Sequence, residues 1–133
     1  MDIQHRRTCV YEIGYHLVFC VKYRRKVLVG PFEAVLKDTL QAIAYDKEFD
    51  LVLHETDRDH LHLFVSAPPH VSISTLVKWI KGISARRLLA TFPELKAQLY
   101  KGHLWTPSYY VGTVGTISEE TVTRYIQSQK ERV

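Results

Sequence analysis

His60-Leu61-His62, within Asp59-His60-Leu61-His62-Leu63-Phe64-Val65, offers two imidazoles at alternate positions. Alternate residues of a β-strand point to the same side, about 6.5–7 Å apart along the chain, so both rings can reach one divalent ion. Leu61, Leu63 and Val65 would then face a core. The competing reading is a pair of solvated polar side chains on an open sheet face, and a lone His-x-His does not decide between them. Asp59 has two roles open to it, orienting a metal-bound histidine or merely closing a turn, and the turn is the simpler. His16, His54 and Glu55 are further polar candidates that no spacing ties to the pair.

A nucleophile and a third ligand must come from elsewhere. In Thr123-Arg124-Tyr125-Ile126-Gln127-Ser128-Gln129, Tyr125 and Gln129 are spaced i, i+4 and share one helical face. A glutamine carbonyl oxygen can ligate a hard cation, and a nearby tyrosine can be aimed at a phosphate polarised by the same ion. Val122, Tyr125, Ile126 and Gln129 also have the spacing of an ordinary packed face, and periodicity alone favours that reading for Tyr125. Basic residues fall in two clusters, Lys22, Arg24, Arg25 and Lys26, then Lys78, Lys81, Arg86 and Arg87. With a formal net charge of +4, these are either solvated faces or contacts to a phosphate backbone.

The elements that position these residues follow from patterning. A chain of 133 residues has the length of one domain, taken as residues 1–133, and 46% hydrophobic content suffices for a core. The apolar runs are strand-sized, too short to span a bilayer, and no apolar stretch of signal-peptide type follows the N-terminus, so a cytoplasmic protein is expected. Cys9 and Cys20 lack metal-type spacing and read as reduced structural thiols. Tyr15 to Tyr23 reads as a strand, and Pro31 to Lys47 as a helix with apolar residues at helical spacing. Phe49 to Thr56 reads as a second strand, joined through Asp57-Arg58-Asp59 to the histidine strand in a hairpin. A second helix runs from Ile73 through Leu88 towards Phe92-Pro93, and Leu104 to Val114 reads as a loop and fourth strand. Ser118 is the expected N-cap of a last helix, with Glu119 and Glu120 in its first turn and Ile117 and Val122 as a staple. The order β-α-β-β-α-β is that of a ferredoxin-like α+β fold, a four-stranded antiparallel sheet with two helices on one face. His60 and His62 should lie on the other face, where the C-terminal helix can meet them.

Taken together, His60-Leu61-His62 and Tyr125-x-x-x-Gln129 resemble the single-tyrosine HUH transposases of small insertion sequences, the TnpA type. Tyr15-His16-Leu17-Val18-Phe19, Lys22-Tyr23-Arg24, Lys78-x-x-Lys81-Gly82-x-Ser84 and Leu104-Trp105-Thr106-Pro107-Ser108-Tyr109-Tyr110 are similar to the same family, so the likeness spans nearly the whole chain. The resemblance implies that Tyr125 is the nucleophile and that His60, His62 and Gln129 hold Mg²⁺ or Mn²⁺. It implies cleavage and rejoining of single-stranded DNA with hairpins at element ends, through a 5′-phosphotyrosine and without a nucleotide cofactor. It further implies a homodimer, with the tyrosine acting in cis or, as often in the family, in trans; Gly112 and Gly115 would supply the freedom for a crossing helix if they are more than turn glycines. The basic clusters become candidates for DNA contacts, and Tyr23 and Trp105 for exposed platforms on which bases stack. Alternatives are a domesticated hairpin-processing relative, a non-catalytic nucleic-acid-binding module on the same fold, and a nuclease in which water attacks.

Overall fold

A computed structural model describes residues 4–6, 9–11, 13–113 and 124–128. Gln129, Gly115 and the expected cap and staple residues Ile117, Ser118, Glu119, Glu120 and Val122 lie outside the described residues. An N-terminal pair, β1 (Gln4–Arg6) and β2 (Cys9–Tyr11), is antiparallel and was not foreseen from patterning. Three-residue strands carry too little alternation to be read from sequence. The main elements are β3 (Gly14–Cys20), α1 (Gly30–Lys47), β4 (Asp50–Thr56), β5 (His60–Ser66), α2 (Ile73–Thr91) and β6 (Tyr110–Thr113). Residues 124–128 are helical.

The sheet has the order β4-β5-β3-β6 with every neighbouring pair antiparallel. That is the expected ferredoxin-like arrangement. Alternation divides the two central strands between two apolar clusters. Leu17, Phe19, Leu61, Leu63 and Val65 pack with Leu36, Leu40 and Ile43 of α1 and Leu76, Ile80 and Leu88 of α2. Val18 and Cys20, on the other face of β3, pack with Ile126, with Tyr110 and Tyr125 against them. The C-terminal helical segment therefore covers the sheet face that the long helices leave free.

β3 stops at Cys20 and does not run on to Tyr23. Tyr23 and Arg24 adopt left-handed backbone angles, φ 58° and 51°, inside a 3₁₀ turn at Lys22–Arg24. Side-chain sterics disfavour that region for residues other than glycine, so the surroundings must hold it. Glu48 ends α1 in the same conformation, φ 58°. Pro31 stands in the first turn of α1, where a missing N–H costs nothing, and Ser72 caps α2.

Candidate active site

β5 pairs with β3 so that His62 lies opposite Val18 and His60 opposite Cys20. Val18 lies opposite Tyr110 on its other side. His62, Val18 and Tyr110 thus form one row across three strands, and His62 and Tyr110 stand about 10 Å apart in the backbone. Rings fill the space above this row. His16 lies 5.3 Å from His62 and 5.9 Å from Tyr110, and Tyr110 lies 6.0 Å from Tyr125, all between ring centroids. Tyr125 and the histidine pair therefore share one sheet face, bridged by aromatic rings.

Each histidine of the pair has its inner nitrogen engaged. His60 Nδ1 lies 2.7 Å from Asp59 Oδ1. Burial alone would push the Asp59 carboxyl up, but hydrogen bonds from His60 and Arg24, with the Arg24 charge, hold it below the ordinary aspartate value. An ionised carboxylate only accepts, so His60 Nδ1 carries a proton, which leaves Nε2, 3.9 Å from Asp57 Oδ2, as the nitrogen that a metal would take. Asp59 Oδ2 takes Arg24 Nε and a terminal guanidinium nitrogen, both at 2.9 Å. Asp59 thus orients His60 while also standing in the bend between β4 and β5, so both roles open to it from sequence are filled.

His62 Nδ1 lies 3.1 Å from His16 Nε2. A ligand through His62 Nε2 needs the proton on Nδ1, donated to His16. His16 stacks on Phe64 at 4.4 Å, is almost fully buried, and its Nδ1 is a buried atom with no hydrogen-bond partner among the described residues. Burial lowers the His16 pKa and brings His62 down to about 4, with the neighbouring His60 and His16 adding to the effect on His62. Both rings therefore stay neutral at ordinary pH, the form a metal requires.

A cleft of about 390 Å³ opens beside the pair, bordered by Glu55, Asp57, His54 and Lys37. Glu55 lies opposite His62 in the sheet. Among the described residues no three His, Cys, Asp or Glu side chains form a group able to hold a metal ion. Two imidazoles with oriented Nδ1 protons nevertheless fit half of a mixed nitrogen and oxygen set, as far as donor chemistry goes. Gln129, the expected oxygen ligand, lies outside the described residues. Tyr125 is half-buried, and its hydroxyl lies 3.1 Å from Ser108 Oγ.

The basic candidates separate. Arg25, Lys26, Lys78, Arg86 and Arg87 are exposed. Lys22, Lys78 and Lys81 border a second cleft of about 500 Å³ together with His103. Arg24 is committed to Asp59, and Lys81 to the backbone carbonyls of Thr106 and Ser108. Trp105 is not an exposed stacking platform. It is 7% exposed, and its indole N–H donates to Ser84 Oγ at 3.0 Å, because an indole buried in a core needs a partner for that proton. Tyr23 is half-buried against Tyr100 at 4.9 Å. Cys20 is a free, buried thiol whose pKa burial pushes up to about 12, so it is inert.

Residues 9–129 match the family model described as "Transposase IS200 like". The ISDra2 transposase TnpA of Deinococcus radiodurans is 41% identical over 132 residues, covering 99% of this chain and 94% of that protein. The transposase for insertion sequence element IS200 of Salmonella typhimurium is 32% identical over 121 residues, covering 91% of this chain and 79% of that one. A crystal structure of a transposase candidate from Deinococcus radiodurans superposes with a TM-score of 0.88 at 40% identity, over 95% of this chain and 97% of that chain. A REP-associated tyrosine transposase bound to a REP hairpin shares the fold, with a TM-score of 0.58 at 14% identity, over 95% of this chain and 68% of that one.

Proposed function

Because the chain belongs to the IS200-like transposase family, we propose that it cuts and rejoins single-stranded DNA with Tyr125 as nucleophile. The observation that carries this reading is the shared sheet face of Tyr125 and of His60 and His62, whose Nδ1 atoms are engaged so that Nε2 remains for a ligand. Residues 1–133 act as one such domain. His60 and His62, with Gln129, would hold Mg²⁺ or Mn²⁺. When bound, that ion withdraws charge from the scissile phosphate. Tyr125 Oη forms the bond to phosphorus while the bond to the 3′-oxygen breaks, giving a 5′-phosphotyrosine and a free 3′-hydroxyl. The link conserves the phosphodiester energy, so a 3′-hydroxyl of another strand can reverse the step without a nucleotide cofactor.

The substrate is single-stranded DNA with hairpins at the element ends. Exposed Arg25, Lys26, Lys78, Arg86 and Arg87, with Lys22 in the basic cleft, are the groups open to its phosphates. Two copies of the chain work together as a homodimer. The test is a denaturing gel for a covalent complex, using single-stranded oligonucleotides from both flanks of the gene with Mg²⁺ or Mn²⁺. The expected result is a metal-dependent adduct that Tyr125→Phe abolishes. Cleavage that survives in Tyr125→Phe would indicate water or another nucleophile, and binding without cleavage would leave a hairpin-processing or non-catalytic binder.

A further inference from the structure

Two of the sequence segments that carry the family resemblance, Lys81-Gly82-x-Ser84 on α2 and Trp105-Thr106-Pro107-Ser108 before β6, meet in space. Trp105 Nε1 donates to Ser84 Oγ at 3.0 Å. The Lys81 ammonium reaches the carbonyl oxygens of Thr106 and of Ser108, the latter at 3.2 Å, and lies over the rings of Phe19 and Tyr109. Thr106 is further tied through its N–H to Cys20 O at 2.9 Å and through its Oγ1 to Ser108 O at 3.1 Å. Three residues are thereby fixed from β3, from α2 and from within. At the end of this fixed segment stands the Ser108 hydroxyl, 3.1 Å from the Tyr125 hydroxyl.

We propose that Ser108 is a positioning residue for the Tyr125 nucleophile, and that Lys81 acts as the strut that holds Ser108 rather than as a contact to DNA. The proposal rests on the reading of Tyr125 as the attacking group. A serine hydroxyl can accept from a neutral phenol and donate to a phenolate. When Oη bonds to phosphorus and the 3′-oxygen leaves, the phenol proton passes to the leaving oxygen or to water, and Ser108 keeps its own proton. As the phenol proton leaves, the Ser108 O–H turns towards the Tyr125 oxygen, where a charge-assisted hydrogen bond is stronger than a neutral one and keeps the phenolate aimed for attack. Backbone fixation of residues 106–108 narrows the positions open to that hydroxyl and so limits the entropy lost on reaching the reactive geometry. Lys81 suits a strut. Burial lowers its pKa to about 8, a cost that a solvated phosphate-binding lysine would not bear, while carbonyls and ring faces replace its water.

The test compares the wild type with Ser108→Ala, Ser108→Thr, Lys81→Met and the Ser108→Ala/Lys81→Met double variant. Single-turnover adduct formation on the flanking oligonucleotides is measured beside their affinity and the urea midpoint of each protein. Ser108→Ala should slow the adduct step by about 10- to 100-fold with unchanged affinity and midpoint, as loss of one hydrogen bond to a charged oxygen requires. Ser108→Thr should restore the rate, and the double variant should be no slower than the worse single one. A second readout needs no DNA. O-acetylation of Tyr125 by N-acetylimidazole, followed by mass spectrometry, should slow in Ser108→Ala relative to Tyr45, which is 90% exposed and serves as the internal reference. An adduct rate in Ser108→Ala equal to wild type, or an equal loss in the alanine and threonine variants, overturns the proposal. Unchanged acetylation of Tyr125 in Ser108→Ala overturns it as well. Absence of any wild-type adduct would instead overturn the nucleophile reading, and the acetylation result then reports on the hydroxyl pair by itself.

Discussion

Asp59 has both carboxylate oxygens committed, Oδ1 to His60 and Oδ2 to Arg24, and is itself almost buried. The carboxylate fixes the ring orientation and tautomer of His60, and the guanidinium keeps the carboxylate ionised. Removing it frees the ring and leaves the Arg24 charge without its partner. Asp59→Ala should therefore weaken Mn²⁺ binding by about 10- to 100-fold, the usual cost of losing a partner to a ligating histidine. Titration calorimetry of the DNA-free protein measures this, and an unchanged affinity would remove Asp59 from the site. Arg24 reaches Asp59 from a turn in which Tyr23 and Arg24 hold left-handed backbone angles. Strain of this kind persists where surrounding contacts over-determine it, here a partly buried ion pair and the Tyr23–Tyr100 ring contact.

At the scale of elements, α2 both builds the core and carries the strut. Its apolar side gives Leu76, Val77, Ile80 and Leu88 to the interior, while Lys81 and Ser84 reach the segment before β6. Its start is set by Ser72, whose Oγ accepts the Thr75 N–H at 3.1 Å. Ser72→Ala should lower stability by about 1 kcal/mol, seen as a lower urea midpoint with unchanged slope, because one first-turn N–H loses its partner. No loss of stability would mean that water replaces the cap. At the sheet edge, β4 carries an irregularity between Leu51 and Leu53 that leaves Val52 and Leu53 more than half exposed, at 56% and 52%. A bulge of this kind disturbs the edge and makes it a poorer template for unwanted strand pairing.

For the whole molecule, the buried histidines couple stability to pH. The folded-state pKa of His62 is lowered to about 4, and that of His16 is also lowered, whereas an unfolded histidine titrates near 6.5. Between these values the unfolded chain binds protons that the folded chain refuses, so stability falls as pH drops from 6.5 towards about 4. Urea midpoints of the metal-free protein across this window should decline, and His62→Gln should flatten the decline. An identical slope in that variant would assign the effect to other groups. Lys81 follows the same rule with the same sign in a higher pH window. Its folded pKa of about 8 lies below its ordinary 10.5, so its contribution favours folding progressively as pH rises through that interval.

Local patterning determined much of this protein. Alternation in Leu61-His62-Leu63 put the leucines in the core and the histidines on the opposite face, and helical periodicity placed α1 and α2, because burial acts on each side chain through its own strand or helix. The strand that ends at Cys20 rather than Tyr23 was not legible, since a left-handed non-glycine pair is stabilised by Asp59 and Tyr100, far away in sequence. The same holds for the fates of the basic residues. Lys81 and Arg24 look alike to Lys78 and Arg25 in composition, and only tertiary contacts turn the first two inward to carbonyls and a carboxylate while leaving the others in water. Likewise the partnerships His62 with His16 and Ser108 with Tyr125 join residues 46 and 17 positions apart. Spacing governs which face a residue takes, but the partner it meets there is decided by how the strands and helices come together.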